Sequence, residues 1–129
     1  MVNGLIYLSL PMRGYPGSNF AHGDEVKLLL QRDGWTVVSP VDMDRAQGVT
    51  GDEARFSKQK IQNLLRRDIT ALLTVNAAYF CKGWEASRGC NIEHSIARGI
   101  GLECLYEVPP DPQRYLYSWG HAMIREEER

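Results

Sequence analysis

The chain has almost no surplus of charge of either sign. Its 129 residues include 15 Lys+Arg and 16 Asp+Glu, a formal net charge of -1. A nucleic-acid or anionic-membrane partner held by bulk charge is therefore not expected. Cysteine is scarce as well. Cys81, Cys90 and Cys104 are odd in number and lack C-x-x-C spacing, so they read as reduced thiols of a cytoplasmic protein. Long apolar runs are missing: Ile69 to Val75 is short and contains two Thr, so nothing spans a bilayer. Met1-Val-Asn-Gly opens directly into a strand-like run without a basic n-region and cleavage site, and no signal peptide is expected. Neither G-x-x-x-x-G-K-[ST] nor G-x-G-x-x-G occurs, which excludes the commonest nucleotide loops. Ser9, Ser87 and Ser118 lie outside any G-x-S-x-G elbow, so serine hydrolase chemistry is not expected. His22, His94 and His121 have no H-x-x-x-H or cysteine partner at ligand spacing, so a zinc site is not expected.

What is present is the composition of a globular domain. Hydrophobic residues make up 43% and charged residues 24%, which excludes a disordered or fibrous chain. A single domain of this length (1–129) buries roughly two thirds of its unfolded surface and needs no metal or disulfide to hold it.

Along the chain, strand-like and helix-like patterns alternate. Leu5 to Leu10 is a short apolar run stopped by Pro11, and Pro11 to Asn19 carries loop chemistry. The spacing predicts a helix over Phe20 to Arg32, with Val26, Leu29 and Leu30 inward and Gly23 weakening it. A strand over Trp35 to Ser39 closes at Pro40. The polar stretch Asp42 to Phe56 reads as the longest connection, a candidate lid or binding loop. Ile61, Leu64, Leu65, Ile69, Leu72 and Leu73 then form one stripe of a helix over Ser57 to Leu73. Ala77 to Cys81 is a third strand, and Ser87 to Ile100 a helix with Ile92, Ile96 and Ile100 on its core side. Leu102 to Tyr106 is a fourth strand. Strands separated by helices imply βαβ units and a mostly parallel sheet of four to five strands covered on both faces. Val108-Pro-Pro-Asp-Pro112 should run extended, followed by Tyr115, Tyr117, Trp119 and a charged end.

In such a sheet ligands sit beyond the carboxyl ends of the strands. Two Arg-Gly turns fall there, Arg13-Gly14 and Arg88-Gly89, and the second opens a helix with Ser87 as its N-cap. Free N–H groups and the positive end of the helix dipole favour an anion at such a turn, although a plain cap with a solvated arginine also explains Arg88. Glu93 lies two turns into that helix with small neighbours, Gly89 and Ala97, at i±4. It is either a surface glutamate or a carboxylate facing a ligand. Asp68 stands at the edge of the apolar stripe, either paired to a charge such as Arg67 or delivered to the sheet edge. Tyr7 is either a core aromatic or a phenol bonded to an acid. Two carboxylates aimed at one pocket suit glycosidic chemistry.

Three segments carry a resemblance to known proteins: Ile6-Tyr-Leu-Ser-Leu-Pro-Met-Arg-Gly14 with Asn19-Phe20, Arg67-Asp-Ile-Thr-Ala-Leu72, and Gly83-Trp-Glu-Ala-Ser-Arg-Gly-Cys-Asn-Ile-Glu-His94. Over about residues 5 to 106 the chain resembles the nucleoside 2-deoxyribosyltransferase-like superfamily, and more narrowly its DUF4406-type branch, often phage-encoded. The resemblance implies a flavodoxin-like (Rossmann-like) three-layer α/β sandwich, usually a homodimer, that cleaves the N-glycosidic bond of a nucleoside or nucleotide. It assigns Glu93 as nucleophile, Asp68 as the acid beside the departing base and Tyr7 as the group that orients Glu93. Ser87 stands where the superfamily's nucleoside-monophosphate hydrolases bind phosphate. With Arg13, Gly14, Asn19, Arg88 and Gly89, it makes a 5′-monophosphate the expected substrate. Leu10 and Asn76 depart from the family pattern, which has glycine and aspartate there. The expectation is hydrolysis to free base and (deoxy)ribose 5-phosphate, in the cytoplasm and without a cofactor. A deoxyribosyltransferase, a non-catalytic nucleotide-binding module and a purely structural protein are the alternatives.

Overall fold

The computed structural model describes residues 3–109. Four parallel strands form one sheet: β1 (Leu5–Ser9), β2 (Thr36–Val38), β3 (Ala77–Phe80) and β4 (Glu103–Tyr106), in the order β2-β1-β3-β4. Four helices connect them: α1 (Phe20–Arg32), α2 (Pro40–Ala46), α3 (Lys58–Leu72) and α4 (Arg88–Ile100). The result is the three-layer, Rossmann-like α/β arrangement that the alternation implies. Because β2 and β3 flank β1 on opposite sides, the chain changes direction across the sheet between β1 and β3. A crevice at the carboxyl edge follows from that change.

Strand alternation divides the core in two. Ile6, Leu8 and Leu10 point with Ala77 and Cys81 toward Phe20, Val26 and Leu30 of α1. Tyr7 points with Ala78 and Phe80 the other way, toward Leu72 of α3 and Cys90 and Ala97 of α4. A two-residue period puts neighbours on opposite faces, so every chemical group on β1 is assigned to a side by its parity alone.

Several local expectations change. Leu29 is 61% exposed, and α1 turns Val26 and Leu30 inward without it. Gly23 has a packing reason: a Cβ there would lie 2.8 Å from Val41 Cγ2 and 2.9 Å from Leu10 Cδ2. Alanine normally favours a helix interior by roughly 0.5–1 kcal/mol over glycine, but overpacking costs about 1–3 kcal/mol. Gly23→Ala should therefore lower stability, by about 1 kcal/mol, in chemical denaturation; an unchanged or raised midpoint would contradict the close approach.

Asp42 to Ala46 is helix rather than loop. Pro40 does not merely close β2: it occupies the first turn of α2, where its missing N–H is no loss, and Ser39 Oγ accepts from Val41 N at 3.2 Å. The remaining connection, 47–57, is tied down: Val49 is buried, Phe56 packs on the α1-side core, and the Glu53 carboxylate accepts from the backbone N–H groups of Thr50 and Gly51.

On α4 the inward face differs from the expected one. Cys90, Glu93, His94 and Ala97 are buried, whereas Ile100 is 52% exposed and Ile92 and Ile96 are half-buried. On α3 only Leu72 is fully buried; Ile61, Leu64, Leu65 and Ile69 are half-buried and Leu73 is exposed. Among the described residues no helix is long and apolar enough to cross a membrane. Tyr115, Tyr117, Trp119, the charged end and most of the Pro-rich segment lie outside the described residues.

Candidate active site

The buried carboxylate of Glu93 is the centre of the site. Its residue is 5% exposed, and each oxygen accepts one hydroxyl: Tyr7 Oη donates to Oε2 at 2.7 Å and Ser9 Oγ to Oε1 at 2.7 Å. Tyr7 and Ser9 share a face of β1 because they are two residues apart, and α4 begins just after β3, the neighbouring strand. The fold thus delivers a strand's two hydroxyls to one helical acid at the switch between β1 and β3. Tyr7 is the phenol bonded to an acid. Ser9 is the partner that the sequence reading missed, and the same i, i+2 parity that places Tyr7 would have found it.

Helix α4 starts where it does because Ser87 caps it, its Oγ accepting from Cys90 N at 3.3 Å. That bond occupies a lone pair and leaves the hydroxyl proton able to donate elsewhere. Arg88, exposed, and Gly89 form the first turn.

Asp68 comes from the carboxyl half of α3. Arg67 holds it, with Nη2 and Nε both on Oδ1 at 2.7 and 3.0 Å, while the same guanidinium reaches Asp44 Oδ1 at 2.7 Å and Gln47 Oε1 at 3.1 Å. Of the two readings the sequence left open, the pairing to Arg67 is the one observed; the charge of Asp68 also raises Glu93 and Tyr7.

Burial sets the electrostatics. It pushes Glu93 up to about 7, against the two hydroxyls that favour the carboxylate; Asp68's charge adds to the rise. Burial likewise takes Asp68 to about 6, with Arg67 opposing it. The Tyr7 phenol is driven well above its ordinary value by burial and by Glu93, so it stays a donor. Burial, then Glu93, raises the Cys90 thiol to about 12, and Cys90 is no nucleophile near neutrality. Next to Glu93, His94 is lowered to about 4 by burial and stays neutral, bonded through Nε2 to Tyr106 Oη at 2.7 Å. Burial thus raises both acids toward neutrality, to about 7 for Glu93 and about 6 for Asp68, into the range where one carboxylate and one carboxylic acid coexist, as paired acid–nucleophile chemistry requires.

The remaining expected residues are spread along the carboxyl edge. Arg13 and Gly14 are exposed, Gly14 with φ of +85°. Asn19, also left-handed at φ +64°, donates from Nδ2 to Pro11 O at 2.8 Å and lines a cavity of about 350 Å³ with Tyr15, His22, Lys82 and Gly83. This cavity does not include Tyr7, Asp68 or Glu93. Among the described residues no hydrogen bond joins Arg13, Asn19, Ser87 or Arg88 to the two acids.

Both departures from the family pattern have structural explanations. Leu10 is 5% exposed in the core facing α1. Asn76 Oδ1 accepts from Leu5 N at 2.9 Å, stitching β1 to the start of β3 at the amino end of the sheet.

The family described as Domain of unknown function (DUF4406) matches residues 5–106. No curated protein matches the chain. The match covers the whole sheet and every helix between its strands, and the chain belongs to the DUF4406 family.

Proposed function

We propose that this DUF4406 chain is an N-glycosidase that hydrolyses a (deoxy)nucleoside 5′-monophosphate, in the manner of the nucleoside 2-deoxyribosyltransferase-like superfamily that its motifs resemble. One observation carries the reading: Glu93, gripped at both oxygens by Tyr7 and Ser9, sits at the β1/β3 switch within the electrostatic reach of a second raised acid, Asp68. A carboxylate held this way cannot rotate and presents a fixed edge to an electrophile.

An N-glycosidic bond breaks through an oxocarbenium-like transition state. As the C1′–N bond lengthens, its electron pair goes to the base, and a proton from Asp68 neutralises the leaving nitrogen. The positive charge that develops at C1′ favours ionised Glu93, which closes a C1′–O bond on the opposite face. Water then adds at C1′, giving its proton to the now ionised Asp68, and the ester bond returns its electrons to Glu93. Glu93 is raised further than Asp68, to about 7 against about 6, so in the free protein Glu93 is the more readily protonated of the two, and the substrate's developing positive charge has to reverse that preference. The 5′-phosphate falls to the capped start of α4, with Ser87, Arg88 and Gly89, and to Arg13, Gly14 and Asn19. No cofactor enters the scheme. A homodimer accompanies this reading, and the half-buried stripe of α3 with exposed Leu73 and Ile100 gives it a surface.

Incubation with a panel of ribo- and deoxyribonucleoside 5′-monophosphates, followed by chromatography for free base, is the direct test. Release of base from at least one nucleotide supports the reading; release from none refutes it. Exchange of base when a second free base is supplied would assign a deoxyribosyltransferase instead. A non-catalytic nucleotide-binding module is favoured by Glu93's 5% exposure and by the cavity lying elsewhere. Calorimetric binding without turnover would select it.

The acid pair also fixes the pH dependence. Below about 6 both groups hold protons and the nucleophile is lost; above about 7 both are ionised and the leaving base finds no acid. The rate constant kcat/KM should trace a narrow bell with its maximum between those values. A profile rising monotonically to pH 9 would remove Asp68 from the role of acid.

A further inference from the structure

The sequence offers no metal-ligand spacing, yet the fold brings three ligand-type side chains together on the opposite face of the sheet from Glu93. Cys81 follows β3, His22 lies in the first turn of α1, and Glu107 follows β4. One ligand atom from each lies within 4.8 Å of the other two. His22 Nε2 and Glu107 Oε1 are 2.9 Å apart, and the Lys82 backbone N–H donates to the same Oε1 at 2.8 Å. We propose that His22 Nε2, Cys81 Sγ and the Glu107 carboxylate form a three-ligand site for a borderline-soft divalent cation of the zinc class.

The donor set is the argument for the ion. One thiolate, one imidazole and one carboxylate are the three ligand types zinc accepts, and they disfavour calcium and magnesium, which take oxygen ligands only. Metal–ligand bonds of about 2.0–2.3 Å place tetrahedral donors roughly 3.3–3.8 Å from one another. The widest separation, at most 4.8 Å, therefore contracts by up to about 1 Å, while the His22–Glu107 pair at 2.9 Å opens by roughly 0.4 Å, both within the reach of the His22 and Glu107 rotamers. Cys81 is fully buried and fixed by its backbone bond to Ser9 O at 3.0 Å, whereas the side chains of His22 and Glu107 are 31% and 27% exposed. The ion enters from their side. The Lys82 amide already orients the Glu107 carboxylate, as supporting hydrogen bonds do in metal sites.

Binding balances as follows. The Cys81 S–H proton leaves to solvent, and the proton with which His22 Nε2 donates to Glu107 is given up as Nε2 takes the cation, leaving one proton on Nδ1, on the side of Glu25 Oε2 at 3.8 Å. Three protein ligands leave a fourth position for water or an anionic oxygen, and one of the three, His22, also lines the cavity of about 350 Å³ with Tyr15, Asn19, Lys82 and Gly83. This site is independent of the glycosidase reading, because it uses none of Tyr7, Ser9, Asp68 or Glu93.

Cobalt(II) titration of the tag-free, metal-stripped full chain tests it. The expected result is one equivalent bound, with a near-ultraviolet sulfur-to-cobalt charge-transfer band and visible bands of tetrahedral intensity, both reversed by stoichiometric zinc. Cys81→Ser should abolish the charge-transfer band. Because that buried change could unfold the protein, His22→Ala and Glu107→Gln, at partly exposed positions, serve as second variants. Each should weaken cobalt binding at least about 100-fold, the upper end of what loss of a supporting partner alone costs. Absence of a sulfur band in wild type, or unchanged affinity in both His22→Ala and Glu107→Gln, overturns the site.

Discussion

Glu93→Gln should lose base release by at least about 10³-fold and, in the same protein, melt at a higher temperature than wild type at pH 8. The first effect follows from chemistry: an amide neither bonds to C1′ nor balances the charge of an oxocarbenium, and removal of a nucleophile is among the costliest changes an active site sustains. The second follows from linkage. Glu93 is raised from 4.5 to about 7, first by burial. The folded protein therefore binds its proton more tightly than the unfolded chain does between those values. The stability that Glu93 contributes is complete below about pH 4.5 and is lost as pH rises through about 7. Above pH 7 the folded state carries the full penalty of a buried charge, about 3 kcal/mol at 1.36 kcal/mol per pH unit. Glutamine is nearly isosteric and keeps an oxygen to accept from one hydroxyl, while the hydroxyl facing its NH₂ must turn to accept. Some of the gain is lost there, and a net stabilisation of about 1–2 kcal/mol at pH 8 remains. Thermal melts at pH 4.5 and 8 with turnover assays check both halves. Stabilisation should shrink toward zero at the lower pH. A variant that turns over within tenfold of wild type removes Glu93 as nucleophile, and one that is less stable at pH 8 than at pH 4.5, relative to wild type, removes the buried charge as a cost. Opposed signs for activity and stability are what a site kept for function at the expense of packing should give.

Where the sequence was legible, a strong local rule and the tertiary structure agreed. Ser57 and Ser87 sit just before their helices and cap them, Asp33-Gly34 follows the last turn of α1, and the β1 and β3 runs are short and apolar with Pro11 or Gly83 beyond them. The acid assignments rested on a resemblance, and the geometry bears on them through contacts that no spacing reveals: Tyr7 and Glu93 are 86 residues apart. Misreadings arose where two rules compete. Pro40 reads as a strand stop and as a helix start, and only the Ser39 cap decides. On α4 the isoleucines mark the apolar face, yet the helix turns toward Cys90, Glu93, His94 and Ala97, because the Tyr7 and Ser9 hydroxyls satisfy the carboxylate and Phe80 and Trp84 pack against the imidazole. Apolar periodicity finds a core made of hydrocarbon; it cannot find one assembled around a satisfied polar group. His22, Cys81 and Glu107 were illegible for a different reason: α1 and the segments after β3 and β4 bring them together from distant parts of the sequence without a motif.

Arg67→Met should destabilise the fold by about 2–3 kcal/mol at pH 7.5, although no ligand needs to touch it. The guanidinium joins Asp68 to Asp44, with side-chain exposures of 16% for Arg67, 16% for Asp68 and 8% for Asp44. Removing one partner of a buried pair costs about 3–5 kcal/mol because the remaining charge is stranded, and partial solvent access here lowers the figure. Methionine keeps the length and much of the volume of the stem, so the loss reports charge and hydrogen bonding rather than a cavity. Without the guanidinium that opposes its rise, buried Asp68, in the carboxyl half of α3, would then take up a proton instead. Stability of the variant should rise as pH falls toward 5, opposite to an Asp held low by its partner, and Asp68 should move up from about 6. Replacing Asp44 by Asn in the Arg67→Met background should restore about half of the loss by removing one of the stranded charges. Urea denaturation at pH 5 and 7.5 on the single and double variants measures all three effects. If Arg67→Met and wild type share one midpoint at both pH values, the cation is a surface ornament and Asp68 owes its poise to burial alone. If the loss appears and Asp44→Asn relieves it, Arg67 is the positioning residue that keeps an acid ionisable near neutrality beside Glu93, and the acid limb of the activity bell should move upward in the Arg67→Met variant by the same physical cause.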